Sequence, residues 1–219
     1  MFPPMLPLLI FDLDGTLIDS KKDIALSLNY ALSSEGFPKL PEEEIFQLVG
    51  WGARQLVEEA IGNPTKDVLD RVYQHFADYY DEHLLDHTRL YPGVEEFLNR
   101  SKQMKKAVVT NKPELLSKKI VKGLGIQHHF QWLIGGDTLP VQKPNPQVFA
   151  PIKNSIQKDE RPIMIGDSAV DIDCGKAAGF MTCGVSYGFR PRAELVEAKP
   201  DFLIDRFEEI YDLPIFQYA

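Results

Sequence analysis

The chain has 219 residues, 44% hydrophobic and 26% charged, and its 24 Lys and Arg against 32 Asp and Glu give a net charge of −8. This length is enough for one large domain, or for a domain that carries an insertion. The composition excludes collagen-like repeats, coiled coils and wholly disordered chains. The acidic balance also argues against non-specific nucleic-acid binding, which needs a basic surface.

The N-terminal segment and the cysteines indicate a cytoplasmic protein. The first apolar stretch has no basic region before it and ends at Asp12, so it is too short for a membrane span and lacks signal-peptide flanks. Cys174 and Cys183 show neither a disulfide framework nor metal-type spacing. We therefore expect a cytoplasmic monomer or homodimer that binds neither membranes nor nucleic acids.

Six short apolar runs are typical of strands that are buried on both faces of a parallel sheet. Most of them are followed by a polar or glycine-containing turn and then by helical periodicity, which indicates βα units. The runs cover residues 8–11, 107–109, 132–134, 163–165, 182–185 and 202–204. The sequence therefore predicts an α/β protein with a Rossmann-like parallel sheet.

Residues 20–88 show helical periodicity and no clear strand pattern. Ser20 followed by Asp23 is typical of an N-cap with an acidic first turn. We expect residues 1–19 and 89–219 to form the α/β core domain, and residues 20–88 to form an inserted all-helical cap domain.

Carboxylates follow two of the predicted strands directly. Asp12 and Asp14 come after the first apolar run, and Asp167 and Asp171 come after the run at 163–165. The carboxyl ends of parallel strands form the ligand crevice of open α/β sheets. Neighbouring carboxylates repel each other unless a cation or a proton lies between them. Each segment alone also fits a helix cap or a solvated turn, as Ser168 before Asp171 illustrates.

Three further polar residues are uninformative in isolation. Thr110 and Asn111 follow the run at 107–109 and could form only a helix cap, and Lys143 precedes Pro144 in what could be a surface loop.

Taken together and in this order, the four segments resemble the motifs of the haloacid dehalogenase-like hydrolase superfamily. Asp12-x-Asp14-Gly15-Thr16 matches the first motif, Thr110 the second, Lys143 the third and Gly166-Asp167-Ser168-x-x-Asp171 the fourth. The resemblance spans most of the chain and includes a helical cap inserted after the first motif.

The resemblance implies a Mg²⁺-dependent phosphatase that works through an aspartyl-phosphate intermediate. Asp12 would be the nucleophile, Asp14 the general acid and base, and Lys143 a cation that neutralises the phosphate. The metal ligands would come from Asp12, Asp14 (through its backbone carbonyl) and Asp167, with Asp171 either a ligand or a support for the ligands. The phosphate-binding residues implied are Gly15, Thr110, Asn111 and Lys143.

The acid at position 14 favours a phosphate ester, because dehalogenases of this superfamily lack it and phosphonatases carry a small residue there. Residues 109–113, 142–146 and 184–188 look like those of phosphoglycolate phosphatases, which implies a small phosphorylated metabolite, 2-phosphoglycolate first. Pyrophosphate, a nucleoside monophosphate or a sugar phosphate are the alternative substrates. A β-phosphoglucomutase-like mutase would share both aspartates, and a non-catalytic binding protein would be expected to have lost them.

The cap stretch 50–56 resembles the specificity loop of the family. Arg54 is the candidate for a bidentate contact with a substrate carboxylate or phosphate. The alternative is a solvated helix residue after a turn formed by Gly50 and Gly52. Tyr80, one of several aromatic residues at helical spacing, is interpreted as cap packing.

Overall fold

A computed structural model describes residues 7–62, 64–157 and 160–214 of the chain. It contains short strands that alternate with helices. The strands are β1 (Leu9–Phe11), β2 (Ile18–Asp19), β3 (Arg89–Leu90), β4 (Lys106–Val109), β5 (Trp132–Ile134), β6 (Ile163–Gly166), β7 (Met181–Val185) and β8 (Phe202–Ile204). The α-helices are α1 (Lys21–Ser34), α2 (Glu42–Leu48), α3 (Ala53–Ile61), α4 (Lys66–Glu82), α5 (Val94–Arg100), α6 (Glu114–Gly123), α7 (Ala150–Lys153), α8 (Ala169–Ala177) and α9 (Arg192–Ala198). None of the helices described is long and apolar enough to cross a membrane.

The central sheet has six parallel strands in the order β5-β4-β1-β6-β7-β8. All three residues of β1 are fully buried, which explains why this segment is a continuous apolar run instead of an alternating one. All six predicted strands are present, and the predicted α/β fold class is confirmed.

The strand order brings three chain segments to one point. From β1 the chain continues to β4 and β5 on one side, and it then returns to β6 on the other side of β1. Such a reversal opens a crevice at the carboxyl ends of the strands. Asp12 after β1, Thr110 after β4 and Asp167 after β6 therefore begin their loops side by side.

The segment between β2 and β3 is helical throughout its described part. It holds α1 to α4, and residues 20–62 and 64–88 contain no strand. β2 and β3 form a small antiparallel sheet at its two ends, with Ile18 paired to Leu90 and Asp19 to Arg89. The division into a core and a cap domain stays a prediction, which this arrangement supports.

Asp23 joins the two ends of the helical segment. Its buried carboxylate accepts hydrogen bonds from the backbone N–H groups of His87 at 3.0 Å and Thr88 at 2.8 Å, and from the Thr88 hydroxyl at 2.7 Å. Burial alone would raise the pKa of Asp23, but the hydrogen bonds from Thr88 and His87 outweigh it and hold the pKa below the ordinary value. Asp23 lies in the first turn of α1 as predicted, but its partners are these distant residues.

We expect Asp23→Asn to lower the free energy of unfolding by about 1–3 kcal/mol, because it weakens several hydrogen bonds to one buried group. Urea unfolding at pH 7 measures this, and Asp78→Asn on the exposed face of α4 is the matched control.

Wild type and Asp23→Asn, compared across a range of pH, also test the pKa of Asp23. A lowered pKa means that the ionised carboxylate stabilises the fold fully above its ordinary value of 3.8, and that this contribution is lost as the pH falls through the folded value. The difference between wild type and Asp23→Asn should therefore shrink below pH 3.8. A difference that stays constant down to pH 3 contradicts the assignment.

Candidate active site

Three buried carboxylates meet at the carboxyl edge of the sheet. Asp12, Asp167 and Asp171 each offer one oxygen within 4.8 Å of the other two. Asp12 follows β1 and Asp167 follows β6, and these strands are hydrogen-bonded neighbours. Asp171 reaches the cluster from the first turn of α8.

Lys143 lies against two of these carboxylates. Its Nζ is 2.9 Å from Asp12 Oδ1 and 2.5 Å from Asp171 Oδ1. The other oxygen of Asp171 accepts a hydrogen bond of 2.7 Å from the Ser168 hydroxyl. Burial would lower the pKa of Lys143, but Asp12 and Asp171 outweigh it and raise the pKa, so the ammonium stays charged. Asp171 thus both caps α8 and holds Lys143 beside Asp12.

The charges of this cluster fit a divalent cation. Three carboxylates and one lysine leave a surplus of two negative charges when all are ionised. Burial raises the pKa of Asp12 to about 6 although Lys143 opposes it. Burial and the carboxylates of Asp171 and Asp12 also raise the pKa of Asp167 well above its ordinary value. Within the described ranges Asp167 has no cationic side chain within 4 Å, and its Oδ2 accepts a 2.7 Å hydrogen bond from Phe189 N–H.

Glycines make room for two of the carboxylates. A Cβ on Gly15 would lie 2.2 Å from Asp167 Oδ2, and one on Gly188 would lie 2.3 Å from the Cβ of Asp167. A Cβ on Gly166 would lie 2.3 Å from the Cβ of Asp171. Gly15 also has a φ of +77°, which disfavours any residue with a side chain. Gly15, predicted to bind phosphate, is placed where its lack of a side chain lets Asp167 approach.

Asp14 is held by groups outside the carboxylate cluster. Lys112 Nζ lies 2.9 Å from Asp14 Oδ2 and 3.1 Å from Oδ1, and the Ser20 hydroxyl also donates to this carboxylate. Lys112 donates a further hydrogen bond of 2.6 Å to the hydroxyl of Tyr80 on α4. Burial would lower the pKa of Lys112, but the charge of Asp14 and the contact with Tyr80 raise it. Lys112 is therefore a buried cation beside the predicted acid.

The side chains of Thr110 and Asn111, in the second motif, form hydrogen bonds with the backbone of their own and neighbouring loops. Thr110 is buried and its Oγ1 accepts from Lys112 N–H at 3.3 Å. The amide of Asn111 donates to the carbonyls of Gly50 at 3.0 Å and Lys143 at 3.1 Å, and its oxygen accepts from Lys143 N–H at 2.9 Å. The structure thus uses the Asn111 side chain, predicted to bind phosphoryl oxygens, to hold the Lys143 loop and to contact the helical segment.

A small cavity lies over these groups. Its volume is about 50 Å³. Asp12, Asp14 and Asp167 line it from the sheet, together with Thr110, Asn111, Lys112, Pro113, Leu116 and Phe189. From the helical segment it is lined by Ile24, Val49, Gly50, Gly52, Ala53, Leu56, Phe76 and Tyr80. Of the described residues on that side, Tyr80 alone brings a polar side-chain group.

Arg54 is not among the residues that line this cavity. It is exposed on α3, where it pairs with Asp70 and lies 5.7 Å from the ring centre of Tyr73. This placement fits the alternative of a solvated helix residue, because α3 turns its apolar face inward through Leu56 and Val57.

Sequence reasoning missed Lys112, and it assigned Ser20 and Tyr80 to other roles. Ser20 precedes α1 as predicted, but its hydroxyl serves Asp14 and makes no cap hydrogen bond. Tyr80 does pack against Phe76, as predicted, and it also presents its hydroxyl to Lys112. The available signals for Lys112 were its adjacency to Asn111 and its place in the stretch 109–113, which resembles phosphoglycolate phosphatases.

Comparisons with known proteins agree with this geometry. A family model described as haloacid dehalogenase-like hydrolase matches residues 9–185. Phosphoglycolate phosphatases from Haemophilus influenzae and Chromobacterium violaceum are 35% and 38% identical to the chain; each match covers 93% of this chain, and 96% and 94% of the relative. A crystal structure of a predicted phosphoglycolate phosphatase from Haemophilus somnus is 33% identical, has a TM-score of 0.86, and matches over 95% of this chain and 97% of that one.

The chain therefore belongs to the haloacid dehalogenase-like hydrolases. The family predicted from the four motifs is confirmed.

We expect Gly15→Ala to disrupt the carboxylate cluster. The added Cβ would force Asp167 to move, so Mg²⁺ should bind at least ~10-fold more weakly, which is the lower end of the loss seen when the groups that orient metal ligands are changed. Thermal unfolding across a Mg²⁺ titration measures this.

Gly36→Ala is the matched control for Gly15→Ala. Gly36 has the same φ of +77°, and apart from its chain neighbours no atom of the described residues lies within 4 Å of its added Cβ. Both variants carry the backbone cost of about 1–2 kcal/mol, but only Gly15→Ala should weaken Mg²⁺ binding. Equal Mg²⁺ affinities in the two variants would contradict this account of Gly15.

Proposed function

We propose that the protein is a Mg²⁺-dependent phosphatase that hydrolyses 2-phosphoglycolate through an aspartyl phosphate on Asp12. One observation carries the proposal: the Asp12 carboxylate lines the cavity and is held beside Lys143 within a cluster that has a surplus of negative charge. The names of the relatives support the choice of substrate.

Asp12 is the nucleophile in this proposal. One of its carboxylate oxygens attacks phosphorus, the bond to the leaving oxygen breaks, and the phosphoryl group is carried by Asp12 until water hydrolyses it. Lys143 keeps the carboxylate oriented and compensates the charge of the phosphoryl oxygens. Asp171 positions Lys143 through its ion pair and stays outside the metal ligands, since both of its oxygens already have partners.

Asp14 is the general acid and then the general base. It gives a proton to the leaving oxygen, and it later takes one from the water that attacks the aspartyl phosphate. Ser20 and Lys112 fix its orientation. The Thr110 hydroxyl and backbone N–H groups of the loop after β4 bind the phosphoryl oxygens by donating hydrogen bonds to them.

The cluster would hold Mg²⁺ through the carboxylates of Asp12 and Asp167 and the backbone carbonyl of Asp14. Bound there, the ion neutralises the charge between the nucleophile and the phosphate and orients both.

The cavity favours a small substrate over a sugar phosphate or a nucleotide. Sugar hydroxyls need hydrogen-bonding partners, and an unpaired buried hydroxyl costs about 1–3 kcal/mol. The helical side offers mostly apolar groups to a leaving group. Pyrophosphate is small enough and remains the alternative substrate.

The remaining expectations belong to this proposal. The helical segment 20–88 would act as a cap domain over the core, and the protein would work in the cytoplasm as a monomer or homodimer on a small phosphorylated metabolite. An acidic chain is not expected to bind nucleic acid.

A substrate panel with and without Mg²⁺ tests the proposed function. We expect the highest kcat/KM for 2-phosphoglycolate among 2-phosphoglycolate, pyrophosphate, nucleoside monophosphates and hexose phosphates. Chelation with EDTA should abolish turnover, and added Mg²⁺ should restore it. Preferred hydrolysis of hexose phosphates, or their isomerisation, contradicts the choice of substrate.

Two conservative variants test the catalytic roles. Asp12→Asn should abolish both turnover and aspartyl-phosphate formation, because the amide is not a nucleophile for phosphorus. Asp14→Asn should lose about 10²- to 10⁴-fold in kcat, the usual contribution of a general acid or base. Steady-state kinetics and trapping of phosphorylated protein measure both effects. Wild-type turnover by Asp12→Asn at saturating Mg²⁺ would overturn the nucleophile assignment.

A further inference from the structure

Lys112 is a buried cation on the side of the cavity where a leaving group would lie. Its side chain is 6% exposed, and its Nζ is 2.9 Å from Asp14 Oδ2. Since Asp14 is the proposed proton donor to the leaving oxygen, any group attached to that oxygen passes close to the Lys112 ammonium. Among the described residues that line the cavity, Lys112 is the one with a cationic side chain.

Tyr80 lies beside Lys112 and brings a second hydrogen-bonding group to the same part of the cavity. Its hydroxyl accepts the hydrogen bond from Lys112 at 2.6 Å, and the Lys112 ammonium also lies 4.5 Å from the centre of the Tyr80 ring. Burial raises the pKa of Tyr80 to about 12, although Lys112 opposes the shift. The phenol therefore keeps its proton at neutral pH and can donate it to an anion while it accepts from Lys112.

The remainder of the helical side is unsuited to an anion. Its lining side chains, Ile24, Val49, Ala53, Leu56 and Phe76, are apolar. A carboxylate that enters such a space loses its hydration and needs a charged hydrogen-bonding partner. Arg54, the other cation considered for this role, pairs with Asp70 on the exposed side of α3.

We propose that Lys112 and Tyr80 bind the carboxylate of a phosphorylated hydroxy acid and so select substrates with an anionic leaving group. The inference rests on the proposed phosphatase activity and adds the residues that recognise the leaving group. 2-Phosphoglycolate fits this position, since one methylene group separates its bridging oxygen from its carboxylate. A charge-assisted contact of this kind contributes about 10- to 100-fold in affinity.

The competing role for Lys112 is to position Asp14 alone. If Lys112 had only that role, its removal would slow the hydrolysis of every substrate to a similar extent and would leave the binding of substrate analogues unchanged. A role in carboxylate recognition affects only ligands that carry the carboxylate. The two roles are therefore separated by paired ligands that differ in this group.

Binding of two phosphonates tests the proposal without chemistry. 3-Phosphonopropionate is an analogue of 2-phosphoglycolate with methylene in place of the bridging oxygen, and propylphosphonate lacks the carboxylate. Titration calorimetry with Mg²⁺ present should show that the wild-type protein binds 3-phosphonopropionate at least ~10-fold more tightly. Equal affinities in the wild-type protein overturn the proposal, whatever the variants do.

Three variants assign this preference to residues. Lys112→Met keeps the side-chain length without the charge and should reduce the preference to less than about 2-fold, whereas Tyr80→Phe should reduce it by about 3- to 10-fold. Lys122→Met, at an exposed position near the end of α6, should leave it unchanged. Circular dichroism and thermal unfolding check that each variant is folded. If Lys112→Met does not fold, Tyr80→Phe and the wild-type comparison still decide the question.

Kinetics distinguish failure of this inference from failure of the proposed function. Lys112→Met should lose about 10- to 100-fold more kcat/KM for 2-phosphoglycolate than for ethyl phosphate. Equal losses for the two substrates return Lys112 to a purely positioning role and overturn the inference, while the phosphatase assignment stands. If the wild-type protein hydrolyses no phosphomonoester with Mg²⁺, the proposed function fails, and equal phosphonate affinities would then overturn the carboxylate site independently.

Discussion

The constraint on which this structure depends is the concentration of negative charge at the carboxyl edge of a buried sheet. Asp12, Asp167 and Asp171 are all buried, and Lys143 compensates only part of their charge. Charges of this kind are too costly to bury unless their partners are arranged in advance. The fold supplies the arrangement through strand order, which aligns the ends of β1 and β6, and through Gly15, Gly166 and Gly188, which leave space for the carboxylates. The surplus charge that remains matches a divalent cation.

The loop after β4 connects this charged centre with the helical segment. Asn111 holds the backbone of Lys143 and also donates to the carbonyl of Gly50, and its neighbour Lys112 joins Asp14 to Tyr80. Two consecutive residues thus contact both sides of the cavity. The contacts that place the helices over the site are therefore also contacts that orient the proposed catalytic groups.

The fold was predictable because burial on both faces of a parallel sheet leaves a direct mark on the sequence, as in β1. Asp12, Thr110 and Asp167 were predictable because they directly follow such strands, and the order of the motifs predicted the family that the comparisons confirmed. Lys112 and Tyr80 were not, because no local pattern separates a buried lysine from a solvated one. The use of the Tyr80 hydroxyl depends on how α4 lies against the loop after β4, which is a tertiary property. Arg54 is the opposite case: its place in a family-like loop suggested a role in binding substrate, but in the structure it pairs with Asp70 on a neighbouring helix.

The contrast between the two sides of the cavity explains how a small site can be selective. The sheet side carries carboxylates and the ammonium group of Lys112, whereas the helical side, in its described part, is apolar apart from the backbone and Tyr80. An apolar wall gives little binding energy to a two-carbon leaving group, but it removes water and so strengthens each charged contact that remains. Neutral polar leaving groups lose hydration there without compensation. Selectivity then follows from desolvation combined with one well-placed cation, and it needs no extensive surface complementary to the substrate.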